Sequence, residues 1–180
     1  MHENAKLAFK NEVLPLIRPG SSVMDVGAPR GNRGHKTELM EIGCDYWYSD
    51  LSNKGRRNKI TWINEYEMDC GDCRFDAVVT SQTLEHVRFI WVWMKELARV
   101  TKPGGIVASI SPITWAEHRY PFDCWRVMPD GGAALMEWAG LDLIKSIKVL
   151  YPDGQHDARY QMSGHPPVED LVLIGRRPLH

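Results

Sequence analysis

Two groups of residues in this chain have the types and spacing that chemistry needs. The first is a turn. Ser22-Val23-Met24-Asp25-Val26 reads as a short buried strand running into Gly27-Ala28-Pro29-Arg30-Gly31-Asn32-Arg33-Gly34. Glycine after a strand lets backbone approach a bound cofactor, because no side chain stands in the way. About 20 residues beyond such a turn, an acidic residue ending a second strand can accept hydrogen bonds from ribose hydroxyls. Asp50 occupies that place, after Asp45-Tyr46-Trp47-Tyr48-Ser49. The turn alone describes any tight strand-to-helix connection, whereas the turn with Asp50 points to an adenosine-containing cofactor.

The second group surrounds two histidines. A hydroxyl acceptor benefits from a general base whose pKa lies near the working pH, and histidine is the first candidate. His86 follows the Val-rich segment Phe75 to Thr80, and His118 follows the apolar segment Ile106 to Ile110. As strands of a parallel sheet, these segments put both histidines at the ends where ligands bind. Arg119, Tyr120, Asp123 and Arg126 make the His118 segment a polar, aromatic loop suited to a polar acceptor; the plainer alternative is a salt-bridged loop. Trp115 and Trp125 in this loop are placed to stack on a sugar or ring, while Trp91 and Trp93 belong in the core. His35, His156 and His165 carry no usable pattern and read as solvent-exposed.

The elements that must position these residues alternate along the chain. Ala5, Phe9, Val13 and Leu16 recur at helical spacing before the turn Arg18-Pro19-Gly20. After the Gly-rich stretch, a short helix is expected through Leu39 and Ile42, stopped by Gly43. Ile60 to Ile63 reads as a third strand. Val87, Ile90, Trp91, Met94, Leu97 and Ala98 form the apolar stripe of a helix packed on a sheet, ended by Pro103-Gly104-Gly105. A helix around Ala133 to Ala139 precedes a strand from Leu141 towards Leu150, and Leu171 to Ile174 is the last strand. This order predicts an α/β fold, doubly wound, with a mainly parallel Rossmann-like sheet and an antiparallel C-terminal strand across the Tyr151 to Asp170 loop.

Composition narrows the classes. A chain of 180 residues fits one domain, residues 1–180, with a sizeable core. The net charge of −1 offers no field for polyanions, so no nucleic-acid partner is expected. Lys54, Arg56, Arg57 and Lys59 read as a solvated loop. No apolar window is long enough to span a bilayer, and Met1-His2-Glu3-Asn4 lacks the order of a signal peptide, so the expectation is a cytoplasmic protein without a membrane partner. Four cysteines read as reduced thiols. Cys70 and Cys73 form a lone CxxC with no second pair to complete a zinc site, and no metal is expected.

Val23-Met24-Asp25-Val26-Gly27-x-x-x-Gly31 resembles the first motif of class I S-adenosylmethionine-dependent methyltransferases. Phe75 to Val87, with Gln82 and Leu84-Glu85-His86, is similar to their fourth-strand motif, and Glu96 to Gly105 to the helix and turn before their fifth strand. Tyr120 to Arg126 through Pro129-Asp130-Gly131 resembles a segment of small methyltransferase-like proteins, some linked to sugar or cell-surface glycan modification. The resemblance covers about Val23 to Leu150. It implies S-adenosylmethionine as cofactor, with Asp25, Gly27 and Gly31 shaping the methionine end, Asp50 holding the ribose and Gln82 near the methionine. Asn64, or Glu65 beside it, would meet adenine. His86 falls in a motif that relatives use to cap a helix. The family has glycine where this chain has Pro29, which deletes an N–H, so either the loop takes another path using Gly31 and Gly34 or cofactor binding is weakened; the intact Asp50 and later motifs favour the first.

The implied reaction is methyl transfer to a small polar acceptor, a sugar or glycan hydroxyl among them. Direct displacement from a sulfonium needs alignment in a closed pocket rather than a triad or metal. Three rivals stay open: a binding protein that kept the fold and lost catalysis, a sulfonium serving cyclisation or elimination, and a dinucleotide oxidoreductase. The last needs a G-x-G-x-x-G fingerprint, which fails at Pro29.

Overall fold

The computed structural model describes residues 2–28, 34–50, 59–151 and 167–179. Pro29, Gly31, most of the basic run around Gly55, and His156 and His165 lie outside the described residues.

Seven strands form the main sheet: β1 (Ser22–Val26), β2 (Asp45–Ser49), β3 (Lys59–Ile60), β6 (Phe75–Ser81), β7 (Thr101–Pro112), β8 (Asp142–Val149) and β9 (Asp170–Arg176). Their order is β3-β2-β1-β6-β7-β9-β8. β1, β2, β3, β6 and β7 pair in parallel, and β9 runs antiparallel between β7 and β8. The antiparallel C-terminal strand expected from the sequence is therefore present. A separate hairpin joins β4 (Trp62–Asn64) to β5 (Glu67–Met68).

Side chains alternate across the strands and build a core on each face. Met24, Val78, Val107, Leu171 and Leu173 face one side, where α3 (Ile90–Val100) and α4 (Pro129–Trp138) cover them. Val23, Ala77, Val79, Ala108, Val172 and Ile174 face the other, under the N-terminal helical segment and α2 (Lys36–Glu41). Leu171 to Ile174 are fully buried, as a strand enclosed on both faces requires.

Several boundaries differ from the sequence reading for identifiable reasons. The first helix is regular only as α1 (Glu3–Ala8); Phe9–Val13 widens to a π turn and Leu14–Leu16 tightens to a 3-10 turn. Pro15 has no N–H to continue a regular ladder, and Leu16 is left exposed. The third strand splits, Ile60 staying in the sheet while Trp62 turns into the hairpin. Helix α3 starts at Ile90, because Leu84–His86 forms a 3-10 turn first. Its core aromatic is Trp93, and Trp91 is 39% exposed. Helix α4 begins at Pro129, where a proline suits the first helical position. Gly104 and Gly105 do not end the helix against a loop; they lie in a bulge of β7, where a Cβ on Gly105 would stand 2.7 Å from the Asp76 carbonyl oxygen.

Candidate active site

The chain order reverses between β1 and β6, so the loops after these strands leave in opposite directions and open a crevice between them. A cavity of about 720 Å³ occupies that crevice, within the roughly 300–1,000 Å³ usual for small-molecule sites. Gly27, Asp50, Gln82, His86, His118 and Tyr120 all line it. Six residues expected at the site from sequence thus meet in one cavity.

Gly27 caps β1 with φ +79°, and its N–H donates to the Ser49 carbonyl at 2.9 Å. A Cβ there would stand 2.2 Å from the Thr83 hydroxyl, so glycine is what lets the β1 and β6 loops close together. Asp25 acts behind the surface. Its carboxylate, 2% exposed, accepts the His35 N–H at 2.9 Å and the Tyr46 hydroxyl at 3.1 Å. Burial pushes its pKa up to about 7. Gly34 returns the loop so closely that a Cβ on it would lie 2.3 Å from Asp25 Oδ2. His35, expected at the surface, is fully buried instead; it stacks on Phe9 with ring centroids 3.5 Å apart, and its Nε2 pairs with the Ser81 hydroxyl at 2.7 Å.

Asp50 lines the cavity directly after β2. Asn64 does not: its side chain turns into the hairpin, accepting the Tyr66 N–H at 2.8 Å and donating to Glu67 at 3.1 Å. Glu65 and Tyr66 line the cavity in its place, and Glu65 pairs with Arg88 at 2.7 Å on the rim. Gln82 follows β6 with φ +55°, and its side-chain amide donates to Asp170 at 3.0 Å.

Asp170 and His2 were not singled out from the sequence. Asp170 is fully buried and also receives Asn4 at 2.6 Å and His2 Nε2 at 2.7 Å. His2 lines the cavity and stacks on Trp115, with centroids 5.0 Å apart. Nothing local marks this pair, whose members stand 168 positions apart.

The loop after β7 folds against the 3-10 turn Leu84–His86, with the Cys124 N–H donating to the Glu85 carbonyl at 2.7 Å. The His86 and His118 rings meet edge to face at 4.9 Å, with Tyr120 beside both. His86 Nδ1 bonds the Phe122 carbonyl at 2.6 Å, and partial burial lowers its pKa. The Asp123 carboxylate accepts the His118 N–H at 2.7 Å and Arg126 at 2.6 and 2.8 Å, and the guanidinium holds it down to about 2. Arg126 also donates to the Trp115 and Ala116 carbonyls, so this pair braces the loop rather than lining the cavity. Arg119 pairs with Glu117 in solvent at 2.8 Å. Trp125 donates to the Val87 carbonyl and packs on the core, away from any stacking role. Glu85 lies beneath His86, fully buried, with its pKa pushed up to about 8 by desolvation.

Strand order separates the two adenosine-binding readings. Dinucleotide-binding sheets run 3-2-1-4-5-6, whereas here a reversed final strand inserts next to the edge. That sheet, with its crevice after β1 and a carboxylate after β2, is the class I S-adenosylmethionine-dependent methyltransferase fold. The chain belongs to the methyltransferase domain family, whose model matches residues 2–145.

A demethylmenaquinone methyltransferase of Beutenbergia cavernae is 32% identical over 109 residues, which is 55% of this chain and 45% of that protein. The match therefore spans about half the length of that curated relative. Among solved structures, the 1,6-didemethyltoxoflavin-N1-methyltransferase of Burkholderia thailandensis superposes with a TM-score of 0.72 at 17% identity, covering 98% of this chain and 79% of that one. An S-adenosylmethionine-dependent methyltransferase from Mesorhizobium loti gives 0.69 at 15% identity, covering 94% and 98%. Among the described residues, no helix is long and apolar enough to cross a membrane.

Proposed function

We propose that the chain transfers a methyl group from S-adenosylmethionine to a hydroxyl of a small polar acceptor carrying a ring. The observation that carries this reading is that two chemically different sets of residues line one cavity. Gly27, Asp50 and Gln82, from the turns after β1, β2 and β6, form the first set, and His86, His118 and aromatic side chains form the second.

The cofactor fits the first set. Gly27 turns the chain at the end of β1 with φ +79°, a path that suits glycine, and Asp50 offers a carboxylate to ribose hydroxyls. Glu65 and Tyr66, rather than Asn64, are in place to meet adenine. Asp25 serves from behind by fixing the backbone at His35. The bound cofactor supplies an activated methyl group on a sulfonium. The chain's own task is then to hold the acceptor oxygen in line and keep water out.

His118 takes the proton of the acceptor hydroxyl in this reading, with His86 beside it. The flat faces of Trp115, Tyr120 and Phe122 suit a ring. Asp123 and Arg126 contribute to acceptor binding by holding the loop in shape, and Arg119 adds charge at its edge. Sugars and other ring-bearing hydroxyl compounds are the acceptors to try first, with a quinone, the class named for the curated relative and one without a hydroxyl, as the contrast. The test is transfer of isotopically labelled methyl from the cofactor to members of such a panel, followed by mass spectrometry. Label in an acceptor is expected. Tight cofactor binding with no labelled product from any hydroxyl compound would instead favour a fold retained for other chemistry.

A further inference from the structure

We propose that Glu85, His86 and His118 form a binding site for one divalent first-row transition-metal ion where the two histidines line the cavity. One ligand atom from each residue lies within 4.8 Å of the others. His86 Nε2 and Glu85 Oε1 are 3.7 Å apart. Ligands bonded at about 2.0–2.2 Å in a tetrahedral array stand roughly 3.4 Å from one another, so that pair is already at metal spacing. His118 must move in by roughly an ångström to match. Its side chain is 29% exposed on a loop, so the proposal requires the loop to carry it that far.

A second observation points to a ligand independently of the clustering. Glu85 is fully buried, and neither carboxylate oxygen has a hydrogen-bond partner among the described residues. Buried carboxyl groups are almost always paired, hydrogen-bonded or metal-bound, because the desolvated group otherwise has no compensation. His86 Nε2 stands 3.7 Å from Glu85 Oε1, beyond hydrogen-bond distance.

The surroundings prepare both histidines as ligands. His86 Nδ1 lies 2.6 Å from the Phe122 carbonyl, which accepts an N–H and leaves the lone pair on Nε2, the nitrogen facing Glu85. His118 Nδ1 lies 3.2 Å from the Ala116 carbonyl and 3.5 Å from Asp123, which again reserves Nε2. A ligating histidine whose other nitrogen is anchored by a carbonyl or carboxylate is the usual supporting arrangement around a protein-bound metal. The nearby Arg126 charge is matched by Asp123, so it does not stand unopposed against a cation. Two imidazoles and one carboxylate suit zinc, cobalt, nickel or iron rather than magnesium, and leave coordination positions open.

An ion there would offer those positions to the acceptor oxygen, a claim that rests on the methyl-transfer reading. It would also occupy the lone pair that His118 needs to act as a base, so activation of the oxygen would pass to the metal. The ion site itself does not depend on that reaction.

The experiment uses the full chain stripped with a chelator and titrated with Co²⁺, without cofactor or acceptor. Visible d–d absorption and equilibrium dialysis should show one Co²⁺ per chain, displaced by Zn²⁺ and not by Mg²⁺. His118→Ala and Glu85→Gln should each raise the Co²⁺ Kd by about 100-fold or more, beyond the effect of losing a supporting contact. Circular dichroism checks that each variant is folded, and if Glu85→Gln fails to fold, the His118 variant carries the test. No Co²⁺ binding by the wild-type chain overturns the proposal. So does unchanged binding in the folded variants, or a thiolate charge-transfer band that Cys70→Ser removes. Failure to bind Co²⁺ leaves the methyl-transfer proposal standing, and a failed transfer assay leaves the Co²⁺ result untouched.

Discussion

Gln82 donates its side-chain amide to Asp170 at 3.0 Å, joining the residue after β6 to the first residue of β9, 88 positions away. Asp170 also holds His2 and Asn4, so a single buried carboxylate ties the N-terminal segment to the floor of the cavity. Asp170→Ala leaves two buried polar groups, His2 and Asn4, and the partly buried Gln82 amide without their acceptor. The expected loss is about 2–4 kcal/mol of unfolding free energy, measured by urea denaturation. S-adenosylhomocysteine should bind more weakly as well, because His2 and Gln82 both line the cavity. A variant with unchanged stability would show that the network is dispensable.

Asp50→Ala tests the ribose assignment directly. Removing a charged acceptor for two hydroxyls should cost about 2 kcal/mol of cofactor binding, or about 30-fold in Kd. Titration calorimetry with S-adenosylhomocysteine reads it. Equal affinity in a folded variant would exclude Asp50 from the ribose.

Gly27→Ala asks whether the turn tolerates a side chain. Its φ of +79° costs an L residue about 1–2 kcal/mol, and the new Cβ would collide with the Thr83 hydroxyl. Lower stability and at least tenfold weaker cofactor binding are expected, with the second effect partly restored in Gly27→Ala/Thr83→Ala. Failure of that rescue would show that backbone strain, not the collision, dominates.

The parts of the site that were legible in sequence are those fixed by local pattern. Gly27, Asp50 and Gln82 follow strands whose ends can be read from short apolar runs, so their meeting in one crevice follows from sheet topology. Asn64 and Glu65 show where that logic fails. They are adjacent, the third strand breaks into a hairpin between Ile60 and Trp62, and a change of one position decides which residue faces the cavity. His35 carries no usable pattern in sequence and reads as solvent-exposed, because its burial depends on Phe9, which reaches it from the N-terminal segment. Asp170 and His2 lie beyond local reasoning altogether, since antiparallel insertion of β9 is what brings them together.

Asp25 and His35 should give stability a pH dependence of opposite sign. Burial raises the Asp25 pKa from 3.8 to about 7. Its contribution is therefore complete below 3.8 and is lost as pH rises towards 7. Burial lowers the His35 pKa from 6.5 to about 3, so its contribution is complete above 6.5 and is lost as pH falls. The two slopes oppose each other between 3.8 and 6.5. Asp25→Asn removes one of them while keeping an oxygen for the His35 N–H and the Tyr46 hydroxyl. The stability of the variant relative to wild type should rise with pH up to about 7, at up to about 1.4 kcal/mol per pH unit. Urea denaturation of both proteins across this range measures it, and parallel curves would mean that Asp25 is ionised throughout.

His118→Ala separates catalysis from cofactor binding. His118 lines the cavity among aromatic side chains, held through its N–H by Asp123 and facing His86, while Gly27 and Asp50 come to the same cavity from the turns after β1 and β2. Turnover with an accepted substrate should fall by about 100- to 10,000-fold, the range for a lost general base. Cofactor affinity should change by less than about threefold, because none of the groups proposed to hold it is altered. Arg126→Ala provides the contrast. It removes the donor to the Trp115 and Ala116 carbonyls and the partner of Asp123, so the whole loop loosens. That variant should raise KM and lower kcat together, since the acceptor and His118 are then both displaced. If His118→Ala instead changes only KM, His118 contacts the acceptor without moving its proton, and His86 becomes the candidate base.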